Sequence, residues 1–232
     1  MNNPSSEISP GRVVLMLLII VVVPFLPLLI SGQWDWWEAW VYALVGIFGF
    51  VISRLLAARR HPDLIAERAR FLQQPDAKPW DRRLALLLGI GGALIPLVAG
   101  LDARFDGPGS VSMAAILLSL LVILAGYVLA SYALVANRFF SGTVRIQTDR
   151  GHQVVSSGPY RWIRHPGYAG ALLTYLATPI FLASAWTFVP VLFTTVVLVI
   201  RTRLEDRTLH EELPGYREYA QRTRYRLLPG VW

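Results

Sequence analysis

Residues 158–170 read GPYRWIRHPGYAG, a polar run set between long apolar segments. Pro159 and Pro166 fix their own backbone and push the residues before them, Gly158 and His165, away from helix, while Gly158, Gly167 and Gly170 permit tight turns and close ligand approach. Between them stand Tyr160, Arg161, Trp162, Arg164, His165 and Tyr168. They put hydrogen-bond donors, ring faces and one group that titrates near neutrality on a loop at a membrane surface, where function concentrates more often than packing. The stretch reads as the active-site loop of a membrane enzyme.

The flanks set the fold class. The 232 residues are 54% hydrophobic with a mean hydropathy of +0.47, too apolar for a soluble domain of this size. After the loop, residues 169–183 and 187–200 are two short apolar runs split by Ser184, Ala185 and Trp186, which predicts a tight helical hairpin. The pair either spans a locally thinned bilayer or is partly re-entrant. Before the loop, residues 13–30, 39–52, 84–101 and 111–136 predict four further spans; residues 1–11 read as a frayed tail. The second span is short unless the indoles of Trp34, Trp36, Trp37 and Trp40, an interfacial aromatic belt, enter its first turns. The expectation is an all-α integral membrane protein with about six transmembrane helices and a C-terminal helical tail. It forms one membrane domain, residues 1–232: a four-helix part, 1–136, and a catalytic and cofactor-binding part, 137–232.

Charge sets the predicted orientation. With the first residue inside and six crossings, 21 of the 22 Lys and Arg residues fall on the cytoplasmic side, leaving Arg104 outside. Both termini are therefore expected in the cytoplasm, on the same face as the loop and the tail. The net charge of +7 and pI near 10.1 do not predict nucleic-acid binding, because the cations sit in gaps between apolar runs. Residues 53–83 carry many of them, with Leu64, Ile65, Phe71 and Leu72 giving a possible surface helix. This segment is either a solvated topogenic loop or a holder of anionic headgroups. No cysteine is present, which excludes disulfides, thiolate catalysis and Cys-bound metal. His61, His152, His165 and His210 lie far apart with no ligand spacing, so no metal is expected.

The tail supplies a second polar group. Arg201, Glu205 and Leu209 follow at intervals of four, so Glu205 shares a helix face with an apolar contact and looks inward near the membrane surface. The alternative is a helix end laced with ordinary salt bridges. Pro214 and Gly215 stop that helix, and Tyr216 and Tyr219 then stand three apart, either covering a cofactor ring or sealing the fold.

Taken together, RHPGY, the acidic pair Glu205–Asp206, and YREY followed by Arg224-Tyr-Arg226-Leu-Leu-Pro229 resemble the isoprenylcysteine carboxyl methyltransferase family and its phospholipid methyltransferase relatives, over roughly residues 120–232. The resemblance implies a helical membrane enzyme using S-adenosylmethionine, with S-adenosylhomocysteine as product. The cofactor would sit in a cytoplasmic pocket, and a lipid or lipid-modified acceptor would enter from the bilayer. It further implies that Tyr160, Arg164, His165, Pro166, Tyr168, Glu205, Asp206, Tyr216 and Tyr219 bind the cofactor, with Arg203 and Glu205 as the catalytic candidates. In those roles Glu205 serves the ribose hydroxyls or the amino group, and Arg164 or Arg203 the carboxylate. Asp206 departs from the commoner second Glu and shortens the reach of that charge; Pro214 stands where relatives often carry an aromatic residue.

Methyl transfer is an in-line displacement in which alignment supplies much of the rate, and a carboxylate acceptor is already ionised, which favours O-methylation over N-methylation. Two other readings compete. An NADPH-dependent sterol or lipid double-bond reductase has a similar C-terminal pattern, and titration with NADPH separates it. A transporter or lipid-binding module is disfavoured because residues 13–136 place no charge at mid-membrane.

Overall fold

The structure is a computed structural model that describes residues 10–70, 74–107 and 109–232. Eight α-helices are found among them and no strand: α1 (Pro10–Ser31), α2 (Trp37–Arg60), α3 (Pro62–Ala69), α4 (Pro79–Phe105), α5 (Met113–Ala136), α6 (Pro166–Phe181), α7 (Phe188–Glu212) and α8 (Tyr216–Arg222). Three of them, α2, α4 and α5, are long and apolar enough to cross a membrane, and α1 adds a shorter apolar helix over Leu17–Ser31. This is an all-helical protein of membrane composition. The helices carry large exposed apolar side chains, among them Phe48, Leu55, Leu86, Leu118, Leu121, Val128 and Leu192, as expected of surfaces solvated by lipid.

Each helix extends beyond its apolar run. Helix α2 takes Trp37 and Trp40 into its first turns and continues to Arg60, which resolves the shortness of its apolar core. Helix α1 starts at Pro10, inside the stretch read as a frayed tail; residues 1–9 lie outside the described residues, as do Phe71 and Leu72. The expected surface helix is α3, with Leu64 fully buried against α2 and α5. Helices α3, α4 and α6 all begin with proline, whose preset φ and missing N–H suit a first turn.

Helices α6 and α7 are joined by residues 182–187 and touch one another, but their broader contacts lie elsewhere. Helix α6 packs along α5, and α7 along α4, so the last two helices tie into the first four. The α5–α6 seam is close because both sides lack a side chain at the crossing. A Cβ on Gly126 would stand 2.6 Å from the Gly170 carbonyl oxygen, and one on Gly170 would stand 2.5 Å from that of Gly126. Neither separation is tolerable for carbon against oxygen, so glycine at both positions sets how near the loop at the head of α6 comes to α5.

Candidate functional site

Residues 137–165, between α5 and α6, contain only two short 3₁₀ turns, Thr148–Arg150 and Gly158–Arg161. With so few ladder hydrogen bonds, side chains hold the segment in place. Asp81, fully buried at the head of α4, accepts the Val144 N–H (2.7 Å) and two bonds from Arg201 on α7 (2.7 and 3.1 Å). Arg145 is buried among Glu67 (3.0 Å), Asp76 (2.8 Å) and Asp149 (2.8 Å). Gln147 donates to the Phe139 carbonyl (2.7 Å), and Arg68 donates to the carbonyls of Phe140 (3.1 Å) and Ser141 (3.2 Å).

The tail closes over the far side. The N–H groups of Arg164 and His165 donate to the carbonyls of Tyr225 and Arg226 (both 2.9 Å), and Tyr219 donates to the Tyr160 carbonyl (2.6 Å). Asp206 is the hub of this closure. Its carboxylate, 2% exposed, accepts from Arg164 (2.7 and 3.1 Å), Arg226 (2.7 Å) and Tyr216 (2.9 Å), with His165 at 3.4 Å. Burial pushes this carboxyl up, but the bonds from His165, Arg164 and Arg226 outweigh it and hold the group well below the usual carboxylate range. Burial, and then the Asp206 charge, raises the Tyr216 phenol, and burial pushes Tyr219 up to about 12, so both remain protonated donors.

The walls enclose a cavity of about 830 Å³, counting its open mouth, between the 137–168 segment, α7 and α8. Glu205 is the one carboxylate among its described lining residues. Its bond is from the Tyr168 hydroxyl (2.6 Å), and no Lys or Arg among the described residues lies within ion-pair distance. The arginines lining the cavity, by contrast, are all neutralised: Arg145 by three carboxylates, Arg164 by Asp206 and Arg201 by Asp81. The Thr143 hydroxyl in the wall is buried without a partner. His152 takes the Gln147 N–H on Nδ1 (3.3 Å), which leaves its proton on Nε2. Burial, with help from the charges of Arg145 and Arg150, pushes that imidazole down to about 4.

Of the residues singled out from sequence, Tyr160, Arg164, His165, Tyr168, Glu205, Tyr216 and Tyr219 meet in this cavity. The His165 and Tyr168 rings lie parallel, with centroids 5.8 Å apart. Pro166 opens α6 and does not line the wall; Asp206 lies behind it, bound to Arg164. The guanidinium of Arg164 is spent on Asp206 and on the carbonyls of Thr223 (2.8 Å) and Arg224 (2.7 Å). Arg203 is exposed and outside the cavity, since two residues along a helix turn a side chain about 200° away from Glu205. Arg201, one helical turn before Glu205, lines the wall instead. Sequence reasoning did not single out Thr143, Arg145 or Gln147, which carry no motif, nor the buried partner Asp81, and it weighed His152 only as a metal ligand.

Residues 116–211 match the model of the isoprenylcysteine carboxyl methyltransferase (ICMT) family. That region is similar to the ICMT family. It contains the RHPGY loop, α6, and α7 through Glu205 and Asp206. Similar curated proteins include a probable protein-S-isoprenylcysteine O-methyltransferase from Oryza sativa subsp. indica, 31% identical over 111 residues, 44% of this chain and 56% of the relative. Protein-S-isoprenylcysteine O-methyltransferase B from Arabidopsis thaliana is 29% identical over 111 residues, 44% of this chain and 54% of the relative. The chain thus spans about half the length of these ICMT relatives. A Delta(14)-sterol reductase from Mus musculus is 30% identical over 155 residues, 60% of this chain and 37% of the relative.

Proposed function

We propose that this protein is an S-adenosylmethionine-dependent methyltransferase that methylates a lipid or lipid-modified acceptor, with an isoprenylcysteine-like carboxylate as the favoured acceptor. The observation that carries the reading is Glu205, a carboxylate facing the cavity without a cationic partner among the described residues. Such a group favours a positively charged ligand. S-adenosylmethionine supplies a methyl group on a sulfonium, together with an amino group and ribose hydroxyls that need acceptors. The partnerless Thr143 hydroxyl, the Nε2–H of His152 and the parallel His165 and Tyr168 rings complete a polar, ring-lined wall that fits it.

The chain's own contribution is alignment. Tyr168 holds one Glu205 oxygen and leaves the other free for the ligand. Arg164 and Asp206, sequence candidates for direct ligand contact, instead clamp the loop to the tail so that the walls keep their spacing. A carboxylate acceptor arrives ionised, so no residue has to remove a proton, and orientation of the two reactants carries the acceleration. The reading includes six membrane crossings with both termini and the cavity on the cytoplasmic side, and a division of labour between residues 1–136 and 137–232.

The likeness to Delta(14)-sterol reductase favours NADPH as the competing ligand. Its phosphates would enter a wall whose arginines are already neutralised, next to an unneutralised carboxylate, which disfavours that ligand. Calorimetric titration of the detergent-purified protein separates the two. Binding of S-adenosylmethionine, and not of NADPH, is expected; absence of S-adenosylmethionine binding refutes the proposal.

A further inference from the structure

Two half-buried arginines beside the cavity, Arg54 on α2 and Arg68 on α3, have no carboxylate partner among the described residues. Arg54 donates to the Ser53 hydroxyl (2.9 Å) and lies 4.2 Å from the Phe50 ring centre. Arg68 donates to two backbone carbonyls and lies 5.2 Å from the Phe140 ring centre. The other half-buried or buried arginines of the site have been matched with Asp or Glu, so this pair is the exception.

Their placement joins bilayer to cavity. Arg54 stands on α2 among Val51, Ile52, Leu55 and Leu56, all exposed on the face that lipid would cover. Arg68 packs on Phe140, whose ring lines the cavity and fills the space a Cβ on Gly167 would take. Phe140 in turn packs on the buried cluster of Ala57 on α2, Leu64 on α3 and Leu134 on α5. Burial, and then the neighbouring Arg54 charge, pushes Arg68 down to about 9. Partly desolvated cations bonded only to neutral groups are the setting in which an anion brings the most relief.

We propose that Arg54 and Arg68 receive the anionic carboxylate head of a membrane-borne acceptor at the bilayer side of the cavity. The pair lies outside residues 116–211, so the assignment adds an acceptor site to the matched region. It rests on the methyltransferase reading for the purpose of the site, but not for the binding itself. The charges are then divided: Glu205 lines the cavity for the cationic cofactor, and the arginine pair, outside that lining and next to Phe140, takes the anionic acceptor.

The test compares N-acetyl-S-farnesyl-cysteine with its neutral methyl ester, by direct binding to the full chain in detergent. The wild type binds the acid about tenfold or more tightly than the ester, in line with the loss of a charged hydrogen bond. R54Q and R68Q each shrink that preference, the double variant removes it, and R68K keeps part of it. An unchanged preference in folded R54Q or R68K/R54Q protein, or no preference in the wild type, overturns the proposal. A second arm places the protein in nanodiscs of phosphatidylcholine with or without phosphatidylglycerol. Thermal protection by phosphatidylglycerol that depends on both arginines, with the acid preference intact, would assign the pair to lipid phosphate and also overturn it. Calorimetry with S-adenosylmethionine on the same preparations reports separately on the methyltransferase reading.

Discussion

Replacing Asp206 with Asn tests whether this carboxylate holds the site together. The substitution keeps the shape but exchanges one acceptor oxygen for an N–H donor facing guanidinium hydrogens. Arg164, whose side chain is 5% exposed, loses its counter-charge, and Tyr216 and Arg226 compete for the remaining oxygen. Breaking a buried ion pair from one side costs about 3–5 kcal/mol. Arg226 is more exposed, at 31%, so R226Q costs about 1 kcal/mol. The sign with pH follows from the lowered Asp206 carboxyl. The native state binds fewer protons there than the unfolded chain, so this stabilisation is present above the ordinary carboxylate pKa and is lost as pH falls through the folded value. Thermal unfolding in detergent across acidic to neutral pH reads both effects. D206N should melt on the order of 10 °C lower at neutral pH, with a flatter acid limb. Melting within about 1 °C of the wild type would refute the hub.

The neighbouring carboxylate should behave oppositely: E205Q is expected to leave the melting temperature nearly unchanged while weakening S-adenosylmethionine by about ten- to a hundredfold in calorimetry. R203A, on an exposed face, should alter neither stability nor cofactor affinity by more than about 0.5 kcal/mol. G170A drives a methyl group into the α5 backbone and should cost about 1–3 kcal/mol or more, read as a lower unfolding temperature. His152, held down to about 4 when folded, contributes stability that is full above the ordinary histidine value and lost as pH falls from about 6.5 to about 4. H152F should remove that part of the acid limb, and an unchanged limb would contradict the assignment.

Much of the site was legible because the relevant spacing is local. The interval of four between Glu205 and Leu209 places both on the cavity wall, and Tyr216 and Tyr219 do share one short helix. The RHPGY loop lies in the wall for the same kind of reason, since Pro166 forces α6 to begin there. Arg203 lies outside the cavity because proximity in sequence to Glu205 is not proximity on a helix. Arg164 lines the cavity, but its guanidinium is bonded to Asp206 and two carbonyls, because a donor's availability depends on partners far along the chain.

By itself the sequence determined the all-helical class and the inward face of α7, since each follows from apolar run length or helical period. Only the tertiary structure decided which charges remain free. Arg145 and Glu67 are 78 residues apart, and Arg201 and Asp81 are 120 apart, so neutralisation of the wall arginines is a product of packing. The same packing leaves Glu205 without a cation, and Arg54 and Arg68 without an anion, among the described residues. Long-range pairing carries no periodicity that a chain can display, and it is this pairing that sets the electrostatics of the cavity.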